Sequence, residues 1–311
     1  MENQEKQPPG SIEQAAPEVK VKEAAPVLTD KEIARAVRKG AFPTWKDLLA
    51  VVGIFISSNV LMAILIPPFF GGQMTGLATF LTYAGTFAVT IPFALVLTKQ
   101  RTGTVKNILH FTFKGFNPAV ILWGLILMLA VSIVIEPLIN LFPAGWYKMI
   151  EDQITTGGWV MFTAVVMAPV CEEVLFRGIL QDSLVRKRGP WGGILIASAI
   201  FGLIHFVPQQ VVAGFCLGII IGFVYYKTRS LLSVIVLHAI NNALATFLSL
   251  FQSEEGRAEL TLRETIGNDT VYWVVFIVSI LLLVLSLVQV TLSIRKGKER
   301  EKRRAEEKAQ A

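Results

Sequence analysis

Charge is scarce in this chain, and so are the residues that most often do chemistry. Only 17% of its 311 residues are charged, where a soluble domain carries nearer a quarter. There are two cysteines and three histidines. Cys171 and Cys216 both sit inside apolar runs, which excludes a disulfide framework or a thiolate cluster and reads as two small buried hydrophobes. Neither Gly-x-Ser-x-Gly nor His-Glu-x-x-His occurs, so a serine-hydrolase elbow and a zinc-protease helix are both missing. No stripe of bases interleaves with aromatic residues, which sets nucleic acid aside as a partner. Residues 1–30 hold no aromatic residue at all, cannot build a core and are expected to be disordered.

What is present is apolar. Hydrophobic residues make up 53% of the chain, the mean hydropathy is +0.57, and the apolar residues fall in runs of about 20, the length needed to cross a bilayer as a helix. The expected fold class is therefore all-α: a polytopic protein of the cell membrane, its partner the lipid bilayer, with about eight transmembrane helices. The runs lie near 48–70, 77–98, 118–141, 158–176, 191–207, 209–226, 231–251 and 271–294. They divide the chain into a tail and juxtamembrane segment (1–47, with a short basic surface helix from Lys31 to Lys46), a first group of helices (48–157), a core (158–251), an outer loop with the last helix (252–294) and a charged tail (295–311).

Charge between the runs gives the orientation. Lys31, Arg35, Arg38, Lys39 and Lys46 precede the first, and Lys99, Arg101, Lys106 and Lys114 follow the second. Arg186, Lys187 and Arg188 follow the fourth, and Lys227 and Arg229 the sixth. The alternate connections are neutral or acidic: residues 252–270 carry Glu254, Glu255, Glu259, Glu264 and Asp269 against Arg257 and Arg263. Cytoplasmic loops concentrate lysine and arginine, so both termini are expected in the cytoplasm.

Against this background the stretch Met167-Ala-Pro-Val-Cys-Glu172-Glu173-Val-Leu-Phe-Arg177 stands out. Ionisable groups within a membrane segment are costly and mark function when partners can be named. Glu173 and Arg177 are i,i+4 neighbours with the acid on the favourable N-terminal side, which leaves Glu172, turned by about 100°, free for chemistry. His205 follows Phe201 by four residues, and Asn242 follows His238 by four, so each pair shares a helix face. Glu172 and His205 are equidistant from the Arg188-Gly189-Pro190 turn, about 24 Å along each helix at a rise of about 1.5 Å per residue, and so reach one level. A carboxylate and an imidazole can take a proton from water and aim it at a carbonyl carbon, while an imidazole N–H and an amide hold the oxyanion. Glu172 and His205 fit the first role, and His238 and Asn242 the second. A zinc site of Glu172, His205 and His238 is chemically possible, but the spacing lacks any local ligand pattern, and no metal or other cofactor is favoured. Glu136 is a second intramembrane acid, read as an interface residue, and Gly214, Gly218 and Gly222 as a close helix contact.

The three motifs Glu172-Glu173-x-x-x-Arg177, Phe201-x-x-x-His205 and His238-x-x-x-Asn242 resemble those of the CPBP intramembrane proteases, which include the type II CAAX prenyl endopeptidases and Abi-type proteins. The resemblance spans about residues 158–250. It implies an eight-span helical fold with Glu172, His205, His238 and Asn242 at catalytic positions and Glu173 and Arg177 completing the first motif. It also implies a membrane-associated peptide or protein as substrate. The alternative is a non-catalytic, immunity-type protein that binds a peptide in the same pocket; a proton-coupled transporter is disfavoured because no internal repeat accompanies the motifs. Access to the site is expected from the basic, cytoplasmic side.

Overall fold

A computed structural model describes residues 42–104, 109–113, 116–143, 158–250 and 261–310. The expectations for residues 1–30, for most of the Lys31–Lys46 helix and for Lys106, Lys114, Glu254, Glu255, Arg257 and Glu259 fall outside them. The regular elements among the described residues are all helices, with no strand.

Among the described residues, seven stretches are long and apolar enough to cross a membrane. Helix α1 spans Trp45–Leu65, α2 Gly76–Thr102 and α3 Pro118–Ile139. The fourth stretch, Gly158–Leu203, is 46 residues long and doubles back at Gly189, whose φ of 80° and ψ of 172° suit glycine alone. The fold is tight: a Cβ on Gly193 would lie 2.5 Å from the backbone nitrogen of Val185. Phe176 and Phe201, at equal distance from the turn, meet at 5.2 Å. The stretch thus supplies two of the eight expected segments, α4 (residues 158–188) and α5 (residues 190–203). Helix α6 is Pro208–Thr228, α7 Leu231–Leu250, α8 the short Leu262–Ile266 and α9 Asp269–Gln310. The molecule is a polytopic, all-α membrane protein.

Helix ends follow local chemistry more than hydropathy. Thr44 and Asp47 form a reciprocal capping box at the start of α1, which satisfies donors that no earlier turn can reach. The Thr75 side chain caps α2, and Gly103 ends it in the left-handed region. Asn117 caps α3, with Pro118 at the first helical position. Helix α9 runs beyond the apolar segment into the charged tail, where Arg295–Glu299 and Lys302–Glu306 lie one turn apart. Buried threonine hydroxyls in α2 donate to the carbonyl four residues earlier, Thr86 to Thr82 and Thr90 to Thr86, both at 2.8 Å. The Thr82 hydroxyl, by contrast, is buried without a hydrogen-bond partner.

Two apolar clusters hold the bundle. One joins α1, α2, α4 and α5 through Leu48, Phe55, Phe87, Phe176, Ile179 and Phe201. The other joins α3, α6, α7 and α9 through Met128, Ile221, Val224, Leu237 and Val290. The motif residues sit at the seam between the clusters, on α4, α5, α7 and, for His205, just past the end of α5. Outside, large apolar side chains such as Ile64, Ile277 and Leu281 are exposed, as a lipid-facing surface requires. Glu136 stays away from the seam. It accepts from Leu262 N at 2.9 Å, from Tyr272 Oη at 3.3 Å and from the Asn140 amide, and so pins α8 and α9 to the end of α3.

Candidate active site

Helix α4 is widened twice into π-type turns, Thr163–Met167 and Glu173–Gln181, on either side of Ala168–Glu172; such turns recur at functional sites. Glu172, Glu173 and Arg177 are all buried, Glu173 completely. Arg177 Nη1 donates to Glu173 Oε1 at 3.1 Å, and Nη2 donates to the Gly218 carbonyl at 3.3 Å. Its guanidinium also lies over the Phe201 ring, 4.5 Å from the centroid. The arginine thus ties α4, α5 and α6 together.

His205 lies just beyond the end of α5, in the turn that leads to α6. Its Nδ1 is 2.8 Å from the Phe201 carbonyl; a carbonyl only accepts, so Nδ1 carries the hydrogen and Nε2 keeps its lone pair. Phe201 packs edge-on against both imidazoles, at 5.1 Å from His205 and 6.0 Å from His238. The next residue, Phe206, holds φ 59° and is spanned by a Val207 N–H to His205 carbonyl bond of 2.7 Å. This is a strained three-residue turn, costing on the order of 1–3 kcal/mol.

His238 bridges the two acids. Nδ1 donates to Glu173 Oε1 at 2.8 Å, and Nε2 stands 3.8 Å from Glu172 Oε2. Asn242, one turn along α7, donates to the Ala164 carbonyl at 3.0 Å and keeps a second amide hydrogen. Glu172 has another partner, the Tyr83 hydroxyl from α2, which donates to Oε1 at 2.7 Å. A cavity of about 540 Å³ is lined by Glu172, His205, His238, Asn242, Phe201 and Tyr83 together with neutral residues of α2, α3, α4, α6 and α7. Glu173 and Arg177 lie behind this wall.

The structure thus brings Glu172, His205, His238 and Asn242 to one cavity, with Glu173, Arg177 and Phe201 backing it. Sequence reasoning missed Tyr83, which is 89 residues from its partner and carries no local signal. It also missed Gln209, whose amide donates to the Pro143 carbonyl at 2.6 Å and ties the start of α6 to the end of the α3 segment. Among the described residues, no three His, Cys, Asp or Glu side chains converge closely enough to hold a metal ion. The acceptors on Nδ1 of His205 and His238 do not themselves oppose a metal, because ligating imidazoles are commonly held that way.

The chain is thus a helical membrane bundle in which Glu172 meets two histidines at an internal cavity, with Glu173 and Arg177 behind them. Residues 155–244 match the family model described as "Type II CAAX prenyl endopeptidase Rce1-like". The chain is also similar to the "Putative membrane peptidase YdiL" of Bacillus subtilis (strain 168), 28% identical over 118 residues, which cover 38% of this chain and 47% of that protein. The match therefore spans about half the length of the curated relative. No solved structure matches the chain. The family-model match covers under a third of the chain and falls on the stretch that carries the three motifs.

Proposed function

We propose that the chain is an intramembrane endopeptidase of the cell membrane that hydrolyses a peptide bond of a membrane-associated substrate with a glutamate-activated water. Glu172 Oε2, left open because Tyr83 engages Oε1, takes a proton from the water with help from the free Nε2 of His205. The hydroxide adds to the carbonyl carbon, and the oxyanion receives hydrogen bonds from His238 Nε2–H and the second amide hydrogen of Asn242. Glu172 then returns its proton to the departing amine, so the step is balanced by water alone. For His238 to donate from Nε2, the Glu173–His238 pair holds one further proton in the 2.8 Å contact between Oε1 and Nδ1. The step is routed through no metal ion.

The observation that carries this reading is the meeting of Glu172, His205, His238 and Asn242 on one cavity wall, with both imidazoles held by acceptors on Nδ1. The test compares newly formed peptide termini in membranes of cells that express the wild type, Glu172→Gln or His205→Ala. Cleavages present with the wild type should vanish with both variants while the proteins still accumulate and melt normally. Identical peptide profiles from wild type and Glu172→Gln would overturn the catalytic reading in favour of a peptide-binding protein.

A further inference from the structure

The cavity and the charges of the bundle lie at opposite ends. From Glu172 the cavity wall runs one way only: to Thr79 near the start of α2, to Gln209 and Gln210 at the start of α6, and to Thr246 and Ser249 near the end of α7. In the other direction residues 172–184 are buried without a break, and Leu175, Phe176, Ile179, Leu180 and Leu184 are at most 2% exposed. Gly178 is covered there by Leu109 and Leu231. Among the described residues the cavity therefore opens at one end and is plugged at the other.

Basic residues gather at the plugged end. Arg101 pairs with Asp47, Arg186 and Arg229 both pair with Asp182, and Arg188 lies over the Trp45 ring. Lys99 and Lys227 belong to the same end. At the mouth end, Arg263 is the one described base, and it is paired with Asp269, with Glu136 and Glu264 nearby. Bases mark the cytoplasmic side. The non-helical turn at residues 204–207 agrees: exposed peptide groups at membrane depth are tolerated where they border a water-filled space, and His205 in that turn lines the cavity.

We propose that the site opens away from the cytoplasm and takes peptide segments presented at the outer face of the membrane, the reverse of the access favoured by the sequence. The inference about substrate rests on the peptidase reading above; the inference about the mouth does not. No lysine or arginine is among the described lining residues, so a free terminal carboxylate meets neither of those side chains among them. An internal, uncharged stretch of chain fits its amides and hydroxyls.

The test is labelling of single cysteines by a membrane-impermeant maleimide in intact bacterial cells, on a Cys171→Ser, Cys216→Ser background whose melting matches the wild type. Gln210→Cys and Thr79→Cys at the mouth should label in intact cells. Lys99→Cys should label only after permeabilisation. Arg263→Cys serves as a second outer site, independent of cavity integrity. If Gln210→Cys and Thr79→Cys label only after permeabilisation, or not at all even then, the proposal falls. If the serine background does not fold, the same cysteines are placed in the native chain, with Cys171 and Cys216 giving the baseline labelling. Because labelling needs no activity, its outcome is separable from that of the Glu172→Gln experiment. A labelled mouth with unchanged peptide profiles would keep the orientation and discard the peptidase.

Discussion

Arg177→Ala is the most informative perturbation of stability. The side chain is 1% exposed and its partner Glu173 is fully buried. Removal takes the ion pair, the bond to the Gly218 carbonyl and the contact with the Phe201 face together. Glu173 Oε1 would keep His238 only, and Glu173 Oε2 has no hydrogen-bond partner even in the wild type. Breaking a buried pair from one side costs about 3–5 kcal/mol, because the surviving charge stays in a medium that does not solvate it. At about 2–4 °C per kcal/mol, the melting temperature in detergent should fall by roughly 6–20 °C. Arg177→Lys should recover little of it, since an ammonium lacks the planar fork that reaches Glu173 and Gly218 together. The double variant Glu173→Gln, Arg177→Met removes both charges and should melt above Arg177→Ala. A double variant that melts as low as the sum of the two single losses would refute the claim that an unpaired buried carboxylate causes the damage.

Other outcomes follow from single contacts. Tyr83→Phe removes a charge-assisted bond to Glu172, and activity should fall on the order of tenfold or more with little change in melting, read as kcat against KM. Gly193→Ala and Gly202→Ala should each destabilise by about 1–3 kcal/mol through overpacking, because the new Cβ would lie 2.5 Å from the Val185 backbone nitrogen or 2.6 Å from the Val211 carbonyl oxygen. Gly53→Ala, with nothing within 4 Å, should not, as denaturation curves in detergent would show. His110, in the connection before α3, has its pKa held below the ordinary histidine value by burial and then by the Arg229 guanidinium. The folded state therefore binds its proton less readily than the unfolded chain. Its contribution is complete above about pH 6.5 and is lost as pH falls below that toward the lowered folded value. Melting curves of wild type and His110→Asn should diverge above that range and converge on acidification.

Much of the architecture was legible because it depends on short-range rules. Runs of apolar residues gave the spans, while Thr44, Thr75 and Asn117 supply caps at helix starts that hydropathy does not register. Helix periodicity gave the Glu173–Arg177 neighbours and the shared faces of Phe201 with His205 and of His238 with Asn242. The symmetry of α4 and α5 about Gly189 gave their common level, which the Phe176–Phe201 contact reflects. Contacts across helices were not legible, because spacing along one helix says nothing of its rotation against another. The Tyr83–Glu172 bond is one such contact, and the double engagement of His238 is a second.

The amino-acid order alone determined that the chain is a bundle of membrane helices, which loops carry the bases, and which three short motifs hold the polar side chains. These follow from backbone hydrogen bonding in an apolar medium and from a fixed 3.6-residue period. Tertiary packing alone decided that His238 lies between the two carboxylates, that a tyrosine from outside the family match reaches Glu172, and that the cavity is plugged at the basic end. The backbones of Gly202 and Gly214 approach closely enough that a Cβ on Gly202 would lie 2.6 Å from the Val211 carbonyl. Such contacts set how far each helix turns and slides against the next, and no one-dimensional pattern records that.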